Sequence, residues 1–82
     1  MDDALLRARV REALQSGALP RDDPLHTWGG RGTGRECDVC GRAIPASETE
    51  LELEFVVSGS ASRVHRMHPR CFIAWQQVRQ EP

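Results

Sequence analysis

Residues 37 to 71 of this 82-residue chain read CDVCGRAIPASETELELEFVVSGSASRVHRMHPRC, and their pattern predicts most of the fold. The stretch opens with Cys37-Asp38-Val39-Cys40-Gly41 and closes with His68-Pro69-Arg70-Cys71, so two Cys/His pairs have the same spacing. Two side chains at this spacing can bind one ion if the backbone curls tightly, and Gly41 permits that curl because it has no Cβ. Two such pairs of soft or borderline ligands suit tetrahedral Zn²⁺.

The sequence therefore predicts one Zn²⁺ per chain, held by Cys37, Cys40, His68 and Cys71. His65 is a rival ligand, because His65, His68 and Cys71 step by three residues. We expect His65 to be a surface strand residue instead, since four ligands already close a structural site. Another alternative is a Cys37/Cys40 redox pair, but it leaves His68 unexplained and lacks the βαβ context of a thioredoxin-like motif.

Between the two pairs, apolar and acidic residues alternate. The apolar positions are Leu51, Leu53, Phe55 and Val57, and the acidic ones are Glu48, Glu50, Glu52 and Glu54. A period of two indicates a half-buried strand, and we expect its acidic face to be open to water. The Ser-Gly-Ser-Ala-Ser run at 58–62 predicts a turn. Residues 63–67 then complete a hairpin, in which Arg63 and Arg66 can lie opposite the glutamates.

A second helix is predicted to start at Pro69, a residue favoured at the first helical position. Phe72, Trp75 and Val78 follow at i, i+3 and i+6, and Cys71 adjoins the same stripe. We expect this aromatic stripe to belong to the core.

These residues resemble two known groups of zinc fingers. Cys-x2-Cys-Gly-Arg-x-Ile followed by His-x2-Cys-Phe is similar to one half of a LIM domain, while the long gap and the aromatic-rich helix resemble the zinc finger of poly(ADP-ribose) polymerase type. Both groups are treble clefs, built from a zinc knuckle, a β-hairpin and a helix whose start supplies the last ligands. The resemblance covers roughly residues 36 to 80. It implies an α+β treble-clef fold and gives the metal-ligand role to Cys37, Cys40, His68 and Cys71.

N-terminal to the Cys37/Cys40 pair, the spacing of apolar residues predicts an amphipathic helix over 3–16. These residues are Leu6, Val10, Ala13 and Leu14. Asp2 or Asp3 can cap its start, and Gly17 and Pro20 end it. We expect its apolar face to pack on the zinc module of the same chain, the alternative being a second copy. The predicted organisation is a helix over 1–18, a Gly/Pro/Arg-rich loop over 19–36 and a treble-clef module over 37–82, all within a single domain.

Trp28 lies in that loop, followed by Gly-Gly-Arg-Gly-Thr-Gly. Such a segment can cradle a phosphate or present the indole to a base, although it matches no phosphate-loop pattern. We expect Trp28 to fold back as a lid over the knuckle or over the Leu51/Phe55 face, because so small a domain is short of core.

The composition narrows the class of protein. A formal net charge of −1 excludes the class of strongly basic proteins that bind nucleic acid by charge alone. No apolar run approaches the roughly 20 residues of a membrane helix, and Asp2 and Asp3 lie where a signal peptide needs positive charge. We therefore expect a cytoplasmic protein, in which three cysteines bind metal rather than form disulfides.

These features favour a noncatalytic zinc-binding module that acts in protein interaction or regulation. Four protein ligands leave no open coordination position to activate water, so we do not expect an enzyme. One alternative is a nucleic-acid-binding finger that uses the Trp28 loop and the hairpin arginines. Another is a switch in which oxidation of Cys37 and Cys40 ejects the metal. The near-zero charge favours a protein partner, and the oligomeric state is left open.

Overall fold

A computed structural model describes residues 1–82, which form two helices and one three-stranded antiparallel sheet. The elements are α1 (Asp3–Ser16), β1 (His26–Arg31), β2 (Thr49–Ser58), β3 (Ala61–Met67) and α2 (Pro69–Arg79), and the strand order is β1-β2-β3. The predicted α+β class is confirmed. Neither helix has the length and apolar character that crossing a bilayer requires.

Helix α1 begins and ends where its sequence predicts. The Asp2 carboxylate accepts a hydrogen bond of 2.9 Å from the Leu5 N–H, and Gly17 adopts the left-handed conformation with φ of 82°. The buried face of α1, which consists of Leu6, Val10 and Leu14, joins the core cluster that also contains the buried side of α2. The chain therefore covers this face itself, as predicted.

The prediction of a loop over the whole of 19–36 is wrong, because His26–Arg31 forms strand β1. All six of its residues are exposed, so burial does not drive its formation. The strand forms because β2 supplies backbone partners: Trp28 lies opposite Glu52, and the Gly32 N–H donates to the Glu48 carbonyl at 2.9 Å.

The position of Trp28 also corrects a prediction. Opposed residues of paired strands point to the same face, so Trp28 shares the face of Glu52 and not that of Leu53. The indole is 50 % exposed. Trp28 is therefore not a lid on the core or on the knuckle.

The two faces of the sheet have different surroundings. The inner face carries Leu53, Phe55 and Met67, all buried, and the Phe55 ring meets that of Trp75 on α2 edge to face, with 5.8 Å between centroids. Helix α2 thus lies on the inner side of the sheet, and α1 packs against α2. The outer face carries the glutamates of β2, and no helix covers it.

Glu50 departs from the prediction of a solvated glutamate row, because it is only 2 % exposed. Its Oε1 accepts hydrogen bonds from the backbone N–H and the hydroxyl of Thr33 at 3.0 and 2.8 Å. Its Oε2 lies 3.4 Å from Nε of Arg66. Burial raises the pKa of this carboxyl, but the Thr33 hydrogen bonds and the charges of Arg66 and Arg35 outweigh that effect and hold the pKa below its ordinary value.

The pairing of β2 with β3 bears out one of the two arginine predictions. Arg66 lies opposite Glu52, whereas Arg63 lies opposite Phe55 and not opposite a glutamate. The guanidinium of Arg66 forms its ion pair diagonally with Glu50 rather than with the residue directly opposite.

Replacing Glu50 with glutamine should lower the free energy of unfolding at pH 7 by about 2 kcal/mol, because an uncharged amide leaves the Arg66 guanidinium without its counter-charge. The contribution of the carboxylate is present above the ordinary pKa of 4.5 and is lost as the pH falls through the lower folded-state value. The difference between wild type and Glu50→Gln should therefore stay constant from pH 7 to 5. Urea titrations of metal-loaded protein measure it. Glu52→Gln is the matched control, and equal stability of the two variants would contradict the prediction.

Candidate metal centre

The first two candidate ligands lie on the knuckle, which we define as residues 37–41. The Gly41 N–H donates to the Cys37 carbonyl at 2.9 Å, and this bond closes the turn between the two thiols. Gly41 itself has φ of 77°, a conformation that glycine adopts without a steric penalty. The Cys37 N–H donates to the Arg42 carbonyl at 2.8 Å, so the chain folds back immediately after the second thiol.

The other two candidate ligands lie at the start of α2. His68 is the N-cap residue of this helix and makes no side-chain capping bond, which leaves its imidazole free for another role. Cys71 is in the first turn of the helix, and its side chain is buried. The knuckle, the hairpin and the start of α2 follow one another in the chain, and this order brings together ligands that are 28 to 34 positions apart in the sequence.

The structure brings all four predicted ligands together. Their ligand atoms, three Sγ and one imidazole nitrogen, all lie within 4.8 Å of one another. Nδ1 of His68 is 3.5 Å from Sγ of Cys40 and 3.9 Å from Sγ of Cys71. Two sulfurs bound at about 2.3 Å to one tetrahedral ion are about 3.8 Å apart. The cluster is therefore close to the size that one tetrahedral metal ion requires.

The orientation of His68 assigns its two ring nitrogens. Nε2 lies 3.3 Å from the Ala43 carbonyl oxygen and 3.5 Å from Oε1 of Glu48. Both of these oxygens are acceptors, so the proton of a neutral imidazole belongs on Nε2. Nδ1 then directs its lone pair toward the thiols, as a histidine ligand with a hydrogen-bonded second nitrogen does.

The electrostatics of the thiols are compatible with a bound cation. The hydrogen bond from the Cys71 thiol lowers the pKa of Cys37. That same hydrogen bond, with burial and the charges of Cys37 and Cys40, raises the pKa of Cys71. Three neighbouring thiolates repel one another, so positive charge placed between them stabilises their ionised form. A metal ion bound here would supply that charge and displace the protons.

Two further contacts hold the knuckle in place. The Val39 N–H donates to Sγ of Cys37 at 3.4 Å, which stabilises negative charge on that sulfur. From α1, the Arg9 guanidinium donates to the Cys40 carbonyl at 3.0 Å. The N-terminal helix therefore contributes directly to the position of the centre, although the ligand motifs lie well downstream of it.

His65 is not part of the cluster, and it is not the surface residue that its strand position predicted. It is 8 % exposed, and its Nδ1 lies 2.8 Å from Oδ2 of Asp38. The imidazole packs edge to face on Phe55, with 5.6 Å between centroids. The rival ligand of the sequence analysis is thus a core residue held by an acidic partner.

Asp38 is the functional residue that sequence reasoning missed. Its carboxylate accepts from the Arg66 N–H at 3.1 Å, its own N–H donates to the Arg66 carbonyl at 2.8 Å, and it also binds His65. These three bonds fasten the knuckle to the end of β3, next to His68. Its place between the two knuckle cysteines was the one available signal, since a short acidic side chain there can bond neighbouring backbone N–H groups.

A cavity of about 750 Å³ adjoins the centre, and Cys40, His68 and Cys71 form part of its lining. Arg42 and Arg70 line the same space. Arg70 also donates to the Met1 carbonyl and lies 3.5 Å from Oδ1 of Asp3. Positive charge is thus present beside a site whose three thiolates and one divalent ion would sum to −1.

No family model matches the chain, and comparisons with curated proteins and with solved structures find no similar protein. What supports a zinc finger is therefore the cluster of Cys37, Cys40, His68 and Cys71 itself, whose geometry is compatible with one bound metal ion.

Proposed function

We propose that this protein is a noncatalytic zinc-binding module, in which a single Zn²⁺ stabilises a treble-clef fold that binds a protein partner. The observation that carries the proposal is the convergence of four ligand atoms within 4.8 Å. Three sulfurs and one imidazole are a soft donor set, which selects Zn²⁺ over Mg²⁺ or Ca²⁺.

The donor set also argues against catalysis. Four protein ligands fill the tetrahedral shell of Zn²⁺, so no position remains for a reacting water. The three cysteines are 2 %, 9 % and 3 % exposed, and this burial argues against a rapid redox switch, because oxidants reach buried sulfur slowly.

The surroundings of Trp28 support a protein partner over a nucleic acid. A nucleic-acid-binding surface would place arginines around the exposed indole. Here Glu52 lies directly opposite Trp28, and Glu54 is next along the same face. The nearest arginine of β3, Arg66, is already paired with Glu50.

Native mass spectrometry tests the zinc proposal. We expect one zinc per chain in the wild type and loss of the metal in His68→Ala, because three thiolates alone leave the shell open. His26→Ala is the matched control: this histidine is exposed and does not belong to the cluster of four, so its loss should leave the metal content unchanged. Full metal content in His68→Ala would overturn the proposal.

A further inference from the structure

Strand β1 has an open edge. Hydrogen-bonded positions alternate along an antiparallel pair, and the bond from the Gly32 N–H to the Glu48 carbonyl fixes which residues of β1 point toward β2. The backbone groups of Thr27, Gly29 and Arg31 therefore point away from the sheet. Since β1 is the outermost strand, they have no strand to pair with.

The opposite edge of the sheet is covered at Arg66. On β3, Asp38 bonds both the N–H and the carbonyl of Arg66, so the knuckle covers the end of that strand. Proline, lysine or a β-bulge commonly prevents an edge strand from pairing with another chain. None of these occurs within His26–Arg31. The open edge of β1 is thus a ready template for another strand.

The outer face beside this edge is both aromatic and acidic. The rings of His26 and Trp28 are neighbours, with 5.2 Å between their centroids. Glu52 and Glu54 lie opposite these two residues on β2, and neither glutamate forms an ion pair within the chain. An exposed indole attracts a cation through its ring face, and free carboxylates beside it attract the same charge.

The unpaired backbone of β1 and the negative charge beside it favour one kind of binding partner. A second copy of the chain would bring like-charged glutamate rows toward each other, which disfavours pairing. Nucleic acid is repelled by the same glutamates. An extended basic peptide gains both the backbone pairing and the opposite charge.

We propose that β1 is a docking edge for an extended basic segment of a partner protein, which adds as a fourth strand and places Arg or Lys side chains on Trp28 beside Glu52 and Glu54. The inference rests on the proposed role as a protein-binding module and names the chemistry of the partner. Gly30 also favours docking. It has no side chain, and no atom beyond its chain neighbours lies within 4 Å of the position a Cβ would take, so the outer face has room there for side chains of the incoming strand.

The probe is a capped eight-residue peptide of alternating Arg and Thr, titrated into ¹⁵N-labelled, zinc-loaded protein. We expect saturable binding and slower hydrogen exchange at the amides of Thr27, Gly29 and Arg31. Trp28→Ala, and separately the double variant Glu52→Gln/Glu54→Gln, should each raise the dissociation constant about fivefold. Glu12→Gln, which removes an exposed acid on α1, is the matched control and should have no effect.

Peptide controls separate backbone pairing from charge alone. A peptide of the same sequence with every amide N-methylated keeps its charge but cannot pair, so it should not bind. Equal binding of this peptide, equal binding of an alternating Glu-Thr peptide, or unchanged affinity in both variants would overturn the proposal.

Other occupants give distinct results. Protection of the three β1 amides by self-association without peptide, seen together with dimers in sedimentation, would overturn the proposal in favour of a second copy. Equal protection by single-stranded DNA would overturn it in favour of nucleic acid. Native mass spectrometry of the same sample keeps the two proposals apart: one zinc per chain without peptide binding refutes only the docking edge, whereas peptide binding without zinc refutes only the zinc module.

Discussion

Removing the proposed zinc ion from this protein should unfold it. Cys37, Cys40 and Cys71 belong to the main core cluster themselves, and only 18 of the 82 residues are buried, so little interior remains without the centre. Structural zinc in small fingers contributes roughly 10–16 kcal/mol of apparent binding free energy. That is as large as the whole stability of a typical domain, about 5–15 kcal/mol. The metal-free chain should therefore have no stable fold.

The loss should be visible as collapse of amide dispersion in NMR spectra and of far-ultraviolet circular dichroism after addition of a strong zinc chelator. The same chelator saturated with zinc beforehand is the control and should change nothing. His68→Cys offers a matched variant, because it keeps four ligands and should keep a folded, metal-dependent state. A metal-free chain with a dispersed spectrum would show that the core suffices without zinc.

Truncating Trp75 to alanine should lower the free energy of unfolding by about 4 kcal/mol, a value typical of large aromatic side chains in cores. Trp75 is 0 % exposed and contacts the rings of Phe55 and Phe72, with centroids 5.8 and 5.9 Å away. Its indole N–H donates to the Pro20 carbonyl at 2.9 Å. The variant would lose this packing, open a cavity between α2 and the sheet, and leave that carbonyl without its partner.

Urea titration of the zinc-loaded protein measures this effect. Trp28→Ala is the matched control, since the same side chain is removed at a half-exposed position, and should change the free energy of unfolding by less than about 1 kcal/mol. Trp75→Phe should fall between the two, because it keeps most of the aromatic contact but loses the hydrogen bond to Pro20. Equal effects at positions 28 and 75 would mean that the aromatic stripe of α2 does not form the core.

Much of the fold and of the candidate site follows from interactions between residues close in the chain. The bounds of α1 agree with the spacing of its apolar residues, its Asp2 cap and its Gly17 stop. The alternation along 48–57 predicts β2, and each pair of candidate ligands is a local motif. The predicted group of Cys37, Cys40, His68 and Cys71 converges because each pair is preformed by its own turn or helix start, and the hairpin between them joins the two.

Other features depend on contacts between segments that are distant in the sequence. The periodicity of side chains along one segment does not show which other segment it will contact. Strand β1 exists because β2 supplies backbone partners to a glycine-rich segment that has little strand propensity. Glu50 is buried because Thr33 and Arg66 close over it from two other segments, and Trp28 faces outward because of its register against Glu52. Gly32 is constrained in the same way, since a Cβ there would lie 2.0 Å from the Pro45 carbonyl oxygen.

Local patterns were therefore sufficient to predict the helices, the hairpin and the two Cys/His pairs, because the apolar spacings, turn residues and ligand spacings that define each of them lie within one short stretch of the chain. The third strand, the buried Glu50 carboxylate, the Asp38–His65 pair and the open edge of β1 could be seen only in the folded structure. These depend on contacts between residues 16 to 28 positions apart, as in Glu50–Arg66 and His26–Glu54, and the free energy of such contacts depends on the register and approach of whole segments.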